Sequence, residues 1–166
     1  MVNILAIDPG LTGAFVHLNF IGGKRHFFYD MPVIKNGKDR EIDFAGVRKI
    51  LSACRGAHVY LERAMPMAMG SKHAFNYGRG FAALEIAVSL SGLPVTYIEP
   101  QKWAKVMHAG ISADLKPKAK SIIAVRRLFP QYIKCISKNR NDKMHEGIVD
   151  ALLIAGYALR QSGSGG

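Results

Sequence analysis

Four acidic residues stand where side-chain packing alone would not put them. Asp8 ends the apolar run Ile4-Leu5-Ala6-Ile7 and leads into a Pro9-Gly10 turn. Glu62 ends a second short apolar run, His58-Val59-Tyr60-Leu61. Glu146 and Asp150 lie four residues apart, so a helix carries both on one face. Asp150 also interrupts Ile148-Val149-Asp150-Ala151-Leu152-Leu153, where an amphipathic helix would place an aliphatic side chain. His145 precedes the pair and reaches the same end of that helix. A lone buried carboxylate costs roughly several kcal/mol unless a cation or hydrogen-bond donors meet it. Carboxylates gathered together repel, and each raises the pKa of the others. Hard divalent cations remove that repulsion, and an oxygen-rich site suits Mg²⁺ or Mn²⁺. Two such ions about 4 Å apart can activate a water and stabilise a leaving oxygen in phosphodiester hydrolysis.

Ordinary explanations exist beside this one. Asp8 can accept N–H groups from its own turn as an Asx-type cap. Glu62 can pair with Arg63 or Lys72. Glu146 can complement the helix N-terminal dipole, and His145 can be a cap or a loop residue. A structural salt bridge is the least satisfactory account of Asp150, given its apolar neighbours. Glu41, Asp43, Glu85 and Asp114 read as capping or helix-face charges. Glu99 also ends an apolar run, but Pro100 follows it at once.

The elements that must position these acids can be read from the pattern. Ile4 to Asp8 and Ala14 to Leu18 read as two strands, and Arg25 to Met31 as a third, in an antiparallel meander. Pro32 to Arg40 reads as a polar loop containing Asn36-Gly37. Asp43 suits an N-cap, with Phe44, Val47, Ile50, Leu51 and Cys54 at helical spacing before Gly56. His58 to Glu62 and Val95 to Ile98 are strands. Met65 to Lys72 has no period and reads as a flexible loop. Helices are expected over about 75–91, 101–107, the stretch ending at Phe129, and about 145–159. Gly92 suits a helix C-cap. Arg140 to Lys143 reads as a polar loop. A meander followed by α/β units predicts an α/β fold, a mixed sheet with helices on both faces.

Composition limits the partners. The chain has 166 residues, 49% hydrophobic and 21% charged, which fits one globular domain over 1–160 with a flexible tail at 161–166. The net charge is +11, with 23 Lys and Arg against 12 Asp and Glu. That balance suggests a polyanionic partner, nucleic acid ahead of an anionic membrane. A basic surface would then hold the backbone while an acidic pocket holds the metals that cut it. Cys54 and Cys135 lack metal-site spacing and are too few for a secreted scaffold, which suggests a reducing cytoplasm. The sequence suggests no secretory leader, and no apolar run reaches the ~18–20 residues of a membrane span.

Taken together, three stretches resemble the RuvC-type Holliday junction resolvases. They are Ile7-Asp8-Pro9-Gly10-Leu11-Thr12-Gly13, Tyr60-Leu61-Glu62 and His145 to Ala155, with its Gly147, Asp150, Ala151 and Leu152. Phe75-Asn76-Tyr77-Gly78 and Glu99-Pro100-Gln101-Lys102-Trp103 add a likeness to the compact bacteriophage-type branch. The resemblance implies an RNase H-like fold with a mixed five-stranded sheet. It implies a homodimer that cuts two opposed strands of a four-way DNA junction with Mg²⁺ or Mn²⁺, two ions per site. Asp8, Glu62 and Asp150 match the metal-binding acids. For the fourth position, bacterial members place an acid or His three residues before the last Asp, where this chain has Gly147. The phage-type pattern has an acid four before it, where this chain has Glu146, and His145 is the other candidate. Some bacterial relatives carry a base-stacking aromatic just after the Glu. Here that place is Met65, and Phe75 or Tyr77 are the candidate substitutes.

Lys72, Arg79, Lys102, Lys105, Lys116, Lys118 and Lys120 are candidate phosphate contacts. Each such contact steepens the log–log salt dependence of binding by roughly 0.9. A solvated basic face is the plainer reading of any one of them. Phe81, Leu84 and Val88 read as core, and Gly78 and Gly80 would allow a dimer seam along the same helix. An actin- or Hsp70-like ATPase also begins with an Asp-x-Gly phosphate turn. It needs a second domain and a second turn, for which 166 residues leave no room, so no nucleotide cofactor is expected. An RNase H-fold nuclease acting on RNA or other branched DNA, and a binding module without catalysis, remain as alternatives.

Overall fold

The first strand, β1 (Asn3–Asp8), is buried on both faces, which its unbroken apolar sequence requires. A computed structural model describes residues 2–21, 25–63, 70–137 and 144–163, without the side chains of Asn36 and residues 71–73. β1 pairs antiparallel with β2 (Ala14–Asn19), and β2 with β3 (Arg25–Asp30), completing the expected meander. A separate hairpin follows, β4 (Val33–Asn36) and β5 (Asp39–Ile42). β6 (His58–Glu62) returns parallel to β1, and β7 (Val95–Ile98) lies parallel to β6. The main sheet is five-stranded, in the order β3-β2-β1-β6-β7.

Strand alternation sorts the core into two layers. Leu5, Ile7, Phe15, Val59 and Leu61 face α1 (Phe44–Ala53) and α2 (Ser71–Leu90), meeting Val47, Leu51, Leu84 and Val88. Ile4, Ala6, Ala14, Val16 and Tyr60 face the other way. There they meet α3 (Pro100–Met107), α4 (Pro117–Leu128), the short α5 (Ile133–Ile136) and α6 (Glu146–Gly163). Helices therefore cover both faces. Asp43 caps α1 as expected, its carboxylate accepting from Ala45 N–H. Among the described residues, no helix is long and apolar enough to cross a membrane.

Several boundaries differ from the sequence reading. The expected loop at 32–40 holds the β4–β5 hairpin, turning at Gly37, whose φ is +61°. Asn-Gly between short extended runs is a strong hairpin signal, and the polar flanks obscured it. α2 begins at Ser71, four residues before Phe75. α6 continues to Gly163, beyond the expected Leu159 and into the expected tail. In its last turn the Ser162 hydroxyl donates to Ala158 C=O. The Met-rich stretch 64–69 and the loop 140–143 lie outside the described residues.

Cys54 is fully buried, and burial pushes its thiol up to about 11, whereas Cys135 is exposed. A thiol-specific reagent at pH 8 should therefore modify one cysteine in the native protein and a second only in denaturant. Two fast-reacting native thiols would contradict this packing.

Candidate metal centre

β1 and β6 run parallel with Ile7 opposite Leu61, so Asp8 and Glu62 leave the carboxyl ends of adjacent strands side by side. This end of a parallel pair is where open α/β sheets usually bind ligands. Both acids share alternation with Ile4, Ala6 and Tyr60, which face α6. α6 starts against the β1–β2 turn and brings Asp150 over the same strand ends. Gly147 permits that approach: a Cβ there would lie 2.2 Å from the Thr12 carbonyl oxygen.

The three acids sense one another. Asp8 is pushed well above the usual carboxylate range, first by burial, then by the charges of Glu62 and Asp150. The Asp8 and Glu62 carboxyls interact directly, which adds to the rise at Asp8 and opposes the rise at Glu62. Glu62 is raised by burial and by Asp150, opposed by the Trp103 indole N–H, which donates to Oε1 at 2.9 Å. Asp150 is raised by burial, opposed by the Ser121 hydroxyl. One Asp150 oxygen, Oδ1, is buried without a hydrogen-bond partner. The ordinary explanation for Asp8, and the Arg63 pairing for Glu62, find no support in the geometry, while the Lys72 side chain lies outside the described residues. The Asp8 turn closes through its backbone, Gly13 N–H to Gly10 C=O, without the carboxylate. Arg63 lies over the Tyr97 ring, 5.5 Å from its centroid.

Among the described residues, no group of three or more His, Cys, Asp and Glu side chains is set to hold a metal ion as it stands. Asp8 and Glu62 lie against each other as an interacting pair of carboxyls. The donor chemistry still fits a hard divalent cation. The set offers oxygen atoms only, their charge is strained by burial, and Oδ1 of Asp150 has no other use.

Glu146 and His145 stand apart from this trio. Glu146 is half exposed and paired with the Lys118 ammonium, although its charge still raises Asp150. His145 behaves as a cap. Its Nδ1 accepts from Ile148 N–H at 3.3 Å, and its Nε2 meets Asp30 Oδ1 at 2.9 Å. With both ring nitrogens engaged, His145 takes the capping role, and of the two only Glu146 contributes a charge that acts on Asp150.

The expected nucleic-acid contacts divide similarly. Tyr77 is half-buried, and its hydroxyl is raised by burial and then by the charges of Glu62 and Asp8, so it borders the acids. It also lines a groove of about 710 Å³ with Gly10, Leu11, Phe44, Arg79 and Phe81. Phe75 is 68% exposed on α2. Arg79 pairs with Glu41 at 2.8 Å and Lys102 with Glu99 at 3.2 Å. Lys120 donates to Ala113 C=O. Lys105 and Lys116 are exposed, Lys116 at the N-cap of α4. The Lys72 side chain is outside the described residues. The sequence reading gave no role to Trp103, His108 or Ser121. A lone tryptophan opening a short helix is the signal that was available, because a buried indole N–H seeks an acceptor.

No protein-family model and no curated protein matches the chain. Among solved structures, it is similar to Thermus thermophilus RuvC in complex with Holliday junction substrate. That match has a TM-score of 0.65 and 18% identity over 99% of this chain and 97% of that one. A second T. thermophilus RuvC structure matches with a TM-score of 0.60 and 18% identity over 97% of each chain. At this identity the likeness shows the fold, and the chain has the RuvC-like, RNase H-like architecture: a mixed five-stranded sheet clothed by helices on both faces.

Proposed function

We propose that this protein is a divalent-metal-dependent endonuclease that resolves four-way DNA junctions. One observation carries the reading: three carboxylates from β1, β6 and α6 converge at the carboxyl ends of two parallel strands, at an energetic cost that packing does not repay. The RuvC-like fold with a junction-bound neighbour, and a net charge of +11, support the substrate class. Asp8, Glu62 and Asp150 would hold Mg²⁺ or Mn²⁺, with Glu146 at the rim as a further donor. The cation would supply Lewis-acid stabilisation of the scissile phosphate and a more acidic water. The chain's own part is to bury and orient the acids and to guide the backbone with exposed lysines such as Lys105 and Lys116. The motifs around Phe75 and Trp103 favour the bacteriophage-type branch, in the cytoplasm of a bacterial cell or an infected host. Ile86 and Leu90, 59% and 82% exposed one turn apart on α2, support a homodimer in which two sites cut opposed strands.

A mobility-shift and cleavage comparison of a four-way junction against duplex, flap and RNA–DNA hybrid tests the reading. We expect tighter binding of the junction, with paired cuts that need Mg²⁺ or Mn²⁺ and stop in chelator. Equal activity on duplex or hybrid would instead favour a general RNase H-fold nuclease. Cleavage in chelator would rule out the metal account.

A further inference from the structure

Two of the buried acids are gripped from behind by one helical unit. The Trp103 indole N–H on α3 donates to Glu62 Oε1 at 2.9 Å. The Ser121 hydroxyl on α4 faces Asp150 and opposes the rise that burial imposes on its carboxyl. His108, the C-cap of α3, joins the two arms. Its Nε2 lies 3.2 Å from Ser121 Oγ, and its ring meets Trp103 edge-on at 5.6 Å between centroids. Trp103 and Ser121 are only 6% and 5% exposed, so both polar groups are shielded from water.

We propose that Trp103 and Ser121 are positioning residues: the Trp103 indole anchors one oxygen of Glu62, Ser121 is held by His108 against Asp150, and the remaining carboxylate oxygens stay open to the cation. This inference rests on the metal-centre reading above. The choice of donors fits the task. An indole N–H and a hydroxyl orient a carboxylate without neutralising it, as a lysine would, so the negative charge stays available to a cation. Oδ1 of Asp150 is buried without a hydrogen-bond partner, which leaves it open to a cation. The same unit accounts for the spacing between Trp103 and Ser121, which must reach two acids on different elements, β6 and α6.

Calorimetric titration of the full-length protein with Mn²⁺ tests this, comparing wild type, Trp103→Phe, Ser121→Ala and Asp8→Asn, with a thermal melt of each in chelator. Partners behind metal ligands typically change affinity by roughly 10- to 100-fold. We expect a loss of that size in Trp103→Phe and in Ser121→Ala, while junction binding in chelator is unchanged. If these residues serve packing alone, melting falls and Mn²⁺ affinity stays at the wild-type value, which would overturn the proposal. Should Trp103→Phe fail to fold, Ser121→Ala decides alone. Wild type that binds no Mn²⁺ would end the metal reading and this inference together. Wild-type binding lost in Asp8→Asn but intact in the other two would end this inference only.

Discussion

Asp8→Asn should give a protein that still binds a four-way junction, cuts none of it, and melts higher than its parent in chelator. The loss of cleavage follows from removing a central oxygen donor. Charge stabilisation worth about 4 kcal/mol corresponds to about a thousandfold in rate. The gain in stability follows from the burial. Asp8 is held above its ordinary carboxylate value by desolvation, Glu62 and Asp150. A folded-state value above the unfolded one favours folding at low pH, and that benefit is lost as pH rises through the folded value. The metal-free wild type should therefore lose stability from about pH 4 upward. The melting advantage of Asp8→Asn should be small near pH 4 and larger at pH 7 to 8. Saturating Mg²⁺ should reverse the order, since a ligand at a hundred times its Kd adds about 2.7 kcal/mol to the protein that binds it. Melting curves with Mg²⁺ and with chelator, run across pH beside a cleavage assay, separate these effects. Retained cleavage would remove Asp8 from the mechanism, and a lower melt in chelator would mean its carboxylate stabilises the fold.

The acids were legible because each breaks a pattern. Asp8 and Glu62 end runs whose other members are core, and Asp150 replaces an aliphatic residue in a helix where Leu152, Leu153 and Ile154 are fully buried. The succession of strands, a meander and then α/β units in a mixed sheet, was legible from the three early runs and the two later apolar ones. What one sequence did not carry was the division of labour among polar neighbours. Whether His145 ligates or caps depends on Asp30 and on the path of α6, more than a hundred residues away in the chain. Glu146 shares a helix face with Asp150, yet one turn separates a buried carboxylate from a half-exposed one. Trp103, His108 and Ser121 form a network only because α3 and α4 fold against α6, and no local spacing encodes that contact. The β4–β5 hairpin was hidden for a different reason. Its strands are short and polar, so the apolar alternation that marks a buried strand is absent.

Gly147→Ala should unfold or strongly destabilise the protein, against the usual effect of this exchange in a helix. Replacing an interior helical glycine by alanine normally gains about 0.5–1 kcal/mol. Here the added Cβ would stand 2.2 Å from the Thr12 carbonyl oxygen and 2.7 and 2.8 Å from the Gly13 carbonyl carbon and Cα. All three are backbone atoms, so no side chain can rotate away. The turn is itself closely packed, since even an added Cβ on Gly13 would stand 2.0 Å from the Asp8 carbonyl oxygen. α6 must therefore lift off β1. Overpacking of this kind costs about 1–3 kcal/mol or more. The lift also carries Asp150 away from Asp8 and Glu62, and a displacement of about 1 Å at a reacting centre can cost about a hundredfold in rate. The same geometry explains why this chain cannot place an acid at position 147, the position the bacterial pattern would use. Under the proposed function, the fourth donor would then be Glu146. Gly78→Ala on α2, where an added Cβ meets nothing within 4 Å, is the control and should hold or raise the melting temperature. Denaturant titrations and cleavage rates of both variants check the pair. A Gly147→Ala protein as stable and as active as wild type would mean that α6 does not sit on the turn this closely, and that close seating is not what brings Asp150 to the other two acids.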